Sequence, residues 1–224
     1  LKMKKYSENR NLFVHDYFQN FGGGERLILN LVRKKDKLVT SFIVEKLKNF
    51  LKGKNIYSLQ NNSGKKLFLL KFLTPFYFYS YFPKKKYLNA FVSGNYSIFS
   101  DLKKIKNKIF YCHSLPKIFF RYEKFYNNKN FFLKFILKLI GKIFKKIYII
   151  KLNQFDFLIA NSSFTKKHLK KYYKKKIYVV YPPIKKFYSK REIVKTKPFF
   201  LCNNRHEVEK NIDKVIKVFN NIKN

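Results

Sequence analysis

The sequence predicts an α/β protein built on a parallel sheet, and three observations carry that prediction. Short apolar runs recur along the chain, separated by stretches with helical spacing. Most of these runs are too short and too apolar to be anything but buried strands. Two of them end on small polar corners, Ser93-Gly94-Asn95 and Asn161-Ser162, the second just before a helical pattern begins. The clearest case is FDFLIANSSFTKKHLKKYYKKKIYVVYPPI, Phe155 to Ile184. It reads as a strand (Phe157 to Ala160), a polar corner, a helix capped by Ser162 or Ser163, and a second strand (Tyr178 to Tyr181) stopped by Pro182-Pro183. Strand, corner, helix, strand is the grammar of a Rossmann-like sheet, in which ligands sit beyond the carboxyl ends of strands.

The remaining elements follow in order. Asn11 to His15 is a first strand, followed by Gly22-Gly23-Gly24 and a helix from about Glu25 to Arg33, with Leu27, Ile28, Leu31 and Val32 at helical spacing. Val39 to Val44 and Ile56 to Leu59 are strands. Leu67 to Phe82 is a helix that Pro75 is expected to break. Ala90 to Val92 and Lys108 to Cys112 are strands, and Phe131 to Leu152 is a long helix with Lys on one side and Phe, Ile and Leu on the other. Lys185 to Lys197 reads as a linker, Pro198 to Cys202 as a new strand and Val208 to Ile222 as a new helix. The domain division expected is 1–190, a complete Rossmann-like domain, and 191–224, a linker with the first strand-helix unit of a second. The chain begins with Leu and stops within a helical pattern, as a fragment would.

Composition bounds the function. The 224 residues are 46% hydrophobic and 20% aromatic, enough for a sizeable core, a composition that argues against intrinsic disorder. The formal net charge of +39 points first to nucleic acid. Yet the cations are 45 Lys and only six Arg, spread along the whole chain, and Ala occurs twice. That is the bias of codons drifting toward A and T. A nucleic-acid reader concentrates its charge and uses Arg for bidentate contacts. What survives is attraction to anionic head groups and phosphorylated substrates. Cys112 and Cys202 show no metal or redox spacing and fit a reducing compartment. No signal peptide or membrane span is read.

Four places can carry chemistry. The Gly22-Gly23-Gly24 run sits between a strand and a helix start, where backbone can approach a ligand; a binding loop and a plain tight turn both account for it. It lacks the G-x-G-x-x-G spacing of dinucleotide sites. His113, at a strand's carboxyl end in YCHSLP, is placed either to bond a sugar hydroxyl or to cap a loop. Asn161-Ser162 lies at a similar end, where capping and turn formation explain both residues. Arg205 and Lys210 follow the last strand as a possible diphosphate-binding pair. The Lys side of the 131–152 helix is placed to touch a membrane while its apolar face packs.

In this order the pieces resemble glycosyltransferase family 4. FVHDYFQNFGGGERLILNLV is similar to that family's opening strand, glycine loop and first helix, and IFYCHSLPKIFF to its central histidine strand. FDFLIANSSFTKKHLKKYY with VVYPPI resembles the end of its first domain. FFLCNNRHEVEKNIDKVIKVF resembles the start of its second, with an R-x-x-x-x-K spacing at Arg205 and Lys210. The resemblance implies the N-terminal half of a GT-B fold with a truncated second Rossmann-like domain. It implies a retaining transfer of sugar from a nucleotide-sugar donor to a glycan or lipid-linked acceptor, in cell-surface polysaccharide synthesis. No metal and no cofactor beyond the nucleotide-sugar co-substrate are implied. His113 would contact the transferred sugar as the catalytic residue; Arg205, Lys210, Gly23 and Gly24 would bind the donor phosphates; Lys117 and Asn161 would lie on the acceptor side. The location implied is cytoplasmic, peripheral at the inner face of the plasma membrane.

Two departures stand against the family pattern. Arg121 occupies a region where relatives often carry an acid. The family's glutamate motif would fall beyond Asn224, since two complete domains need roughly 300 residues. The 224-residue chain is therefore expected to be inactive alone. The rival of a different class is a non-enzymatic basic protein binding nucleic acid or anionic membrane; within the same fold, the rival is a nucleotide-sugar epimerase.

Overall fold

Seven strands run parallel in one sheet: β1 (Asn11–His15), β2 (Lys37–Thr40), β3 (Ile56–Ser58), β4 (Asn89–Ser93), β5 (Asn107–Cys112), β6 (Phe157–Ala160) and β7 (Ile177–Val179). Their spatial order is β3-β2-β1-β4-β5-β6-β7. The computed structural model describes residues 11–61, 64–120, 131–183, 200–204 and 210–222. Within these lie the helices α1 (Gly23–Leu31), α2 (Glu45–Lys48), α3 (Leu67–Ser80), α4 (Lys117–Phe120), α5 (Phe131–Asn153), α6 (Ser163–Leu169) and α7 (Ile212–Asn220). The molecule is thus α/β with a Rossmann-like sheet, as the alternation of runs predicts. The chain builds outward from β1 in one direction, then returns and builds outward from β4 in the other. The reversal makes the β1–β4 seam a topological switch point, where open α/β sheets hold their ligands.

Alternation along β1 divides the core between the two faces of the sheet. Leu12 and Val14 join a large cluster with Val92, Phe110 and Leu158, covered by Phe78 of α3, Tyr148 and Leu152 of α5 and Leu169 of α6. Phe13 turns the other way, to Ile28 of α1, Leu47 of α2 and Leu38. An asparagine ladder fixes register at the amino end of the sheet. Asn107 Nδ2 donates to Asn89 Oδ1 at 2.7 Å, Asn89 Nδ2 to Asn11 Oδ1 at 2.9 Å, and Asn11 Nδ2 to Asp36 Oδ1 at 3.0 Å. The three asparagines are also direct strand partners, Asn11 with Asn89 and Asn89 with Asn107.

The structure departs from the sequence reading at several places; β7, expected at Tyr178 to Tyr181, ends at Val179. β2 stops at Thr40, short of Val44, because Ser41 N–H turns to Asp16 O and only a lone bridge joins Phe18 to Ile43. α3 runs unbroken through Pro75. A buried network grips the turn before the proline. Gln60 Nε2 and Thr74 Oγ1 both donate to Leu70 O at 2.9 Å, and Thr74 Oγ1 meets Ser41 Oγ at 2.9 Å. Residues 200–202, expected in a strand, carry no regular structure.

The chain divides into two units, Leu1–Ile184 and Lys185–Asn224. The second holds α7, whose Ile216 and Val218 are exposed, and a ring contact between Phe200 and Phe219 at 4.8 Å. The expected domain boundary at 190, the linker and Arg205 lie outside the described residues.

Tyr148 is fully buried, with its ring against Phe99, Phe119 and Phe120, and its hydroxyl has no hydrogen-bond partner among the described residues. A buried unpaired hydroxyl costs stability. Tyr148→Phe is expected to raise stability by about 1 kcal/mol, read as a higher urea midpoint with an unchanged slope.

Candidate functional site

The carboxyl ends of β1, β4 and β5 meet at the switch point, and each contributes a polar side chain. β1 ends on His15, which is 5% exposed; β4 ends on Ser93, fully buried; His113 directly follows β5. His15 Nδ1 lies 2.9 Å from Ser93 O. A carbonyl oxygen only accepts, so Nδ1 carries the proton and Nε2 is left as the acceptor. Ser97 Oγ donates to the same carbonyl at 3.0 Å. His113 Nε2 is 2.8 Å from Ser93 Oγ, which leaves Nδ1 as the nitrogen to meet a ligand. One serine thus orients both rings.

The next residue of β1's exit, Asp16, holds the β4 corner. Its carboxylate accepts the backbone N–H groups of Asn95, Tyr96 and Ser97 at 2.6, 2.9 and 2.8 Å, the start of a 3-10 turn at Ser97–Phe99. Gly94 has φ +129, and a side-chain carbon placed there would collide with the Asp16 carboxylate. Only glycine adopts that backbone without strain.

The glycine run closes the crevice from α1. A carbon added to Gly24 would sit 3.3 Å from His113 Nε2 and 3.6 Å from His15 Cε1, so the bare backbone is what lets the helix start reach the histidines. Gly23 has open space around that position, and Gly22 forms the helix N-cap with no side-chain cap bond. The first-turn N–H groups of a helix have no partner within it, and they suit a phosphate or hydroxyl oxygen.

Burial sets the charge of the crevice. It lowers the pKa of both His15 and His113 to about 4, and for His113 the neighbouring His15 adds to the effect while Asp16 opposes it. Burial raises the Asp16 carboxyl, against the pull of its three N–H partners. Both imidazoles are therefore neutral at physiological pH, each a hydrogen-bonding group rather than a cation.

The structure brings Gly24 and His113 together and adds His15, Ser93 and Asp16, which the sequence reading did not single out. The signal for His15 was the one used for His113, a histidine closing an apolar strand; what was missing was the strand order that makes β1 and β4 neighbours. Lys117, at the start of α4, lines a separate cavity of about 320 Å³ with Ser114, Phe120, Thr165, His168 and Tyr172. Thr165 Oγ1 donates to His113 O at 3.4 Å, linking that wall to the crevice. Asn161 serves the corner. Its Oδ1 accepts from Ser162 Oγ at 3.1 Å, and Ser162 Oγ in turn accepts from Thr165 N–H at 3.2 Å as the N-cap of α6. Lys210 belongs to the second unit and Arg205 lies outside the described residues. Among the described residues no group of three or more His, Cys, Asp or Glu is placed to hold a metal ion, and no helix is long and apolar enough to cross a membrane. No family model matches this chain, and no curated protein matches it.

Two outcomes test this geometry. Gly94→Ala is expected to cost at least about 2 kcal/mol, seen as a lowered urea midpoint, because the strained backbone and the Asp16 contact are both affected. The histidines give a pH dependence with a definite sign. Between their ordinary value of 6.5 and about 4, the unfolded chain binds protons that the native state refuses. Stability is therefore expected to fall as pH drops through that window, with the raised Asp16 carboxyl working the other way. His113→Gln should flatten the fall between pH 6.5 and 4.5 in urea titrations.

Proposed function

We propose that the first unit is the acceptor-side domain of a retaining glycosyltransferase of family 4 type, which moves sugar from a nucleotide-sugar to a glycan or lipid-linked acceptor. The observation that carries this reading is the pair of neutral histidines at the switch point, held by Ser93 against the glycine start of α1. Neutral imidazoles match sugar hydroxyls, because they donate and accept without attracting a counter-ion. The backbone N–H groups of a helix start match phosphate oxygens. Both supports stand beside each other at the carboxyl edge of a parallel sheet, which is where such a fold takes ligands.

In this reading His113 Nδ1 contacts the transferred sugar, Ser93 fixes the ring, and His15 supports the wall behind it. Gly24 lets the acceptor and donor approach. Charge that builds on the departing diphosphate meets the N–H groups of α1, whose contribution grows as the bond breaks. The donor-side roles of Arg205 and Lys210 and the acceptor-side role of Lys117 belong to the same proposal.

Transfer itself is the test, with labelled nucleotide-sugars and polyprenyl-phosphate or oligosaccharide acceptors, assayed on the protein in its full genomic length. Sugar transfer with release of nucleoside diphosphate is expected, reduced about 10²-fold by His113→Ala. A Ser93→Ala variant should lose kcat with little change in KM, since it loosens the ring rather than removing a contact. Hydrolysis or epimerisation without any acceptor would overturn the reading, and so would an unchanged transfer rate in His113→Ala.

A further inference from the structure

The outer side of α3 carries a row of exposed aromatic side chains. Phe68, Phe72, Phe76 and Tyr79 follow one another at spacings of four, four and three residues, which places them in one line along the helix. They are 80%, 59%, 55% and 67% exposed, whereas Leu70, Thr74 and Phe78 on the opposite side are buried in the core. The rings contact one another, Phe68 with Phe72 at 6.4 Å and Phe72 with Phe76 at 6.1 Å. The helix is apolar all round, a pattern that belongs either to a buried helix or to one in lipid. Fourteen residues rise only about 21 Å, and one side of the helix is already committed to the core, so it cannot span a bilayer.

Charge frames this row at its ends. Lys65 and Lys66 precede the helix and Lys84 and Lys85 follow it, all exposed. From Lys46 to Ser100 the chain has no Asp or Glu. Lys71, the one cation within the helix, turns to the Tyr17 ring. At the far end of the row, Lys151 of α5 lies 6.0 Å over the Tyr79 ring.

We propose that this row is a membrane-docking surface, with the four rings lying among the head groups and upper acyl chains of an anionic bilayer and the terminal lysines at the level of the lipid phosphates. An apolar strip with cations only at its ends has the layout of an interfacial helix. A second copy of this chain is disfavoured as occupant, because it would press together two lysine-ended faces whose one neighbouring acid among the described residues, Asp101, already interacts with Lys151. A nucleic acid would call for cations along the row itself. The assignment places the lipid contact on α3 rather than on the Lys side of α5, and it is independent of the proposed sugar transfer.

The chain contains no Trp, so Phe72→Trp introduces a single reporter. The purified variant is titrated with vesicles of phosphatidylcholine alone, and of phosphatidylcholine with 30% phosphatidylglycerol. Expected is a blue shift with the anionic vesicles, quenching by lipids brominated on the acyl chain, and at least tenfold weaker partitioning in zwitterionic vesicles. Phe50→Trp, whose ring is 71% exposed elsewhere, should show no such quenching. Phe68→Ser with Phe76→Ser should weaken co-sedimentation at least tenfold. The proposal is overturned if the Phe72→Trp emission ignores anionic vesicles, if it shifts with protein concentration alone, which would indicate self-association, or if it responds to oligonucleotides and not to lipid.

Discussion

The geometry of the crevice depends on the Asp16 carboxylate. It leaves β1, crosses the switch point and takes three successive N–H groups of the β4 exit. Backbone donors in a buried corner must find partners, and here a single side chain supplies them. That arrangement demands Gly94, because any larger residue would occupy the space of the carboxylate. It also draws the β4 corner toward β1, so that Ser93 presents its carbonyl to His15 and its hydroxyl to His113. The two histidines are therefore oriented by the consequence of an acid that touches neither of them through a hydrogen bond.

The other aspartates of the first unit also accept from backbone. Asp36 accepts from Arg33 N–H, Asp101 from Lys103 N–H and Asp156 from Lys108 N–H. With Asp16, these are all four aspartates of the first unit, and each satisfies backbone. A sequence drifting toward Lys can lose surface acids at little cost, since exposed ion pairs contribute little to stability. It cannot lose Asp16, which holds three N–H groups of the β4 corner, without leaving donors unpaired. The retention of Asp16 beside a charge of +39 fits a drift toward Lys that spares the acids the fold needs, and agrees with reading the Lys excess as compositional.

Much of the fold was legible because its determinants are local. The strand from Phe157 to Ala160, the Ser162 cap and the helix after it all follow from short-range apolar spacing and capping chemistry. What was not legible depends on distant neighbours. Pro75 reads as a break, yet α3 passes through it because Gln60, fifteen residues earlier, grips the preceding turn. Gly23 and Gly24 look alike in sequence; only the approach of His15 and His113 separates them. His15 escaped notice while His113 did not, although both close apolar strands. Their meeting is a property of strand order, and strand order comes from the crossover after β3 rather than from any residue near either histidine.

The neutrality of the crevice gains meaning from the charge around it. A surface this rich in Lys raises the local concentration of anions and speeds their arrival, an effect that reaches about a Debye length and fades with salt. Charge alone would hold every phosphate equally. Burial removes the charge from His15 and His113, so on the proposed reading recognition passes to directional hydrogen bonds from imidazole and backbone N–H. On the proposed reading, attraction of a phosphorylated donor and discrimination of its sugar are then carried by different groups. The first is diffuse and tolerant of mutation at any single lysine. The second rests on Ser93, whose carbonyl and hydroxyl hold the two rings, and on Gly24, whose missing side chain lets them meet the helix.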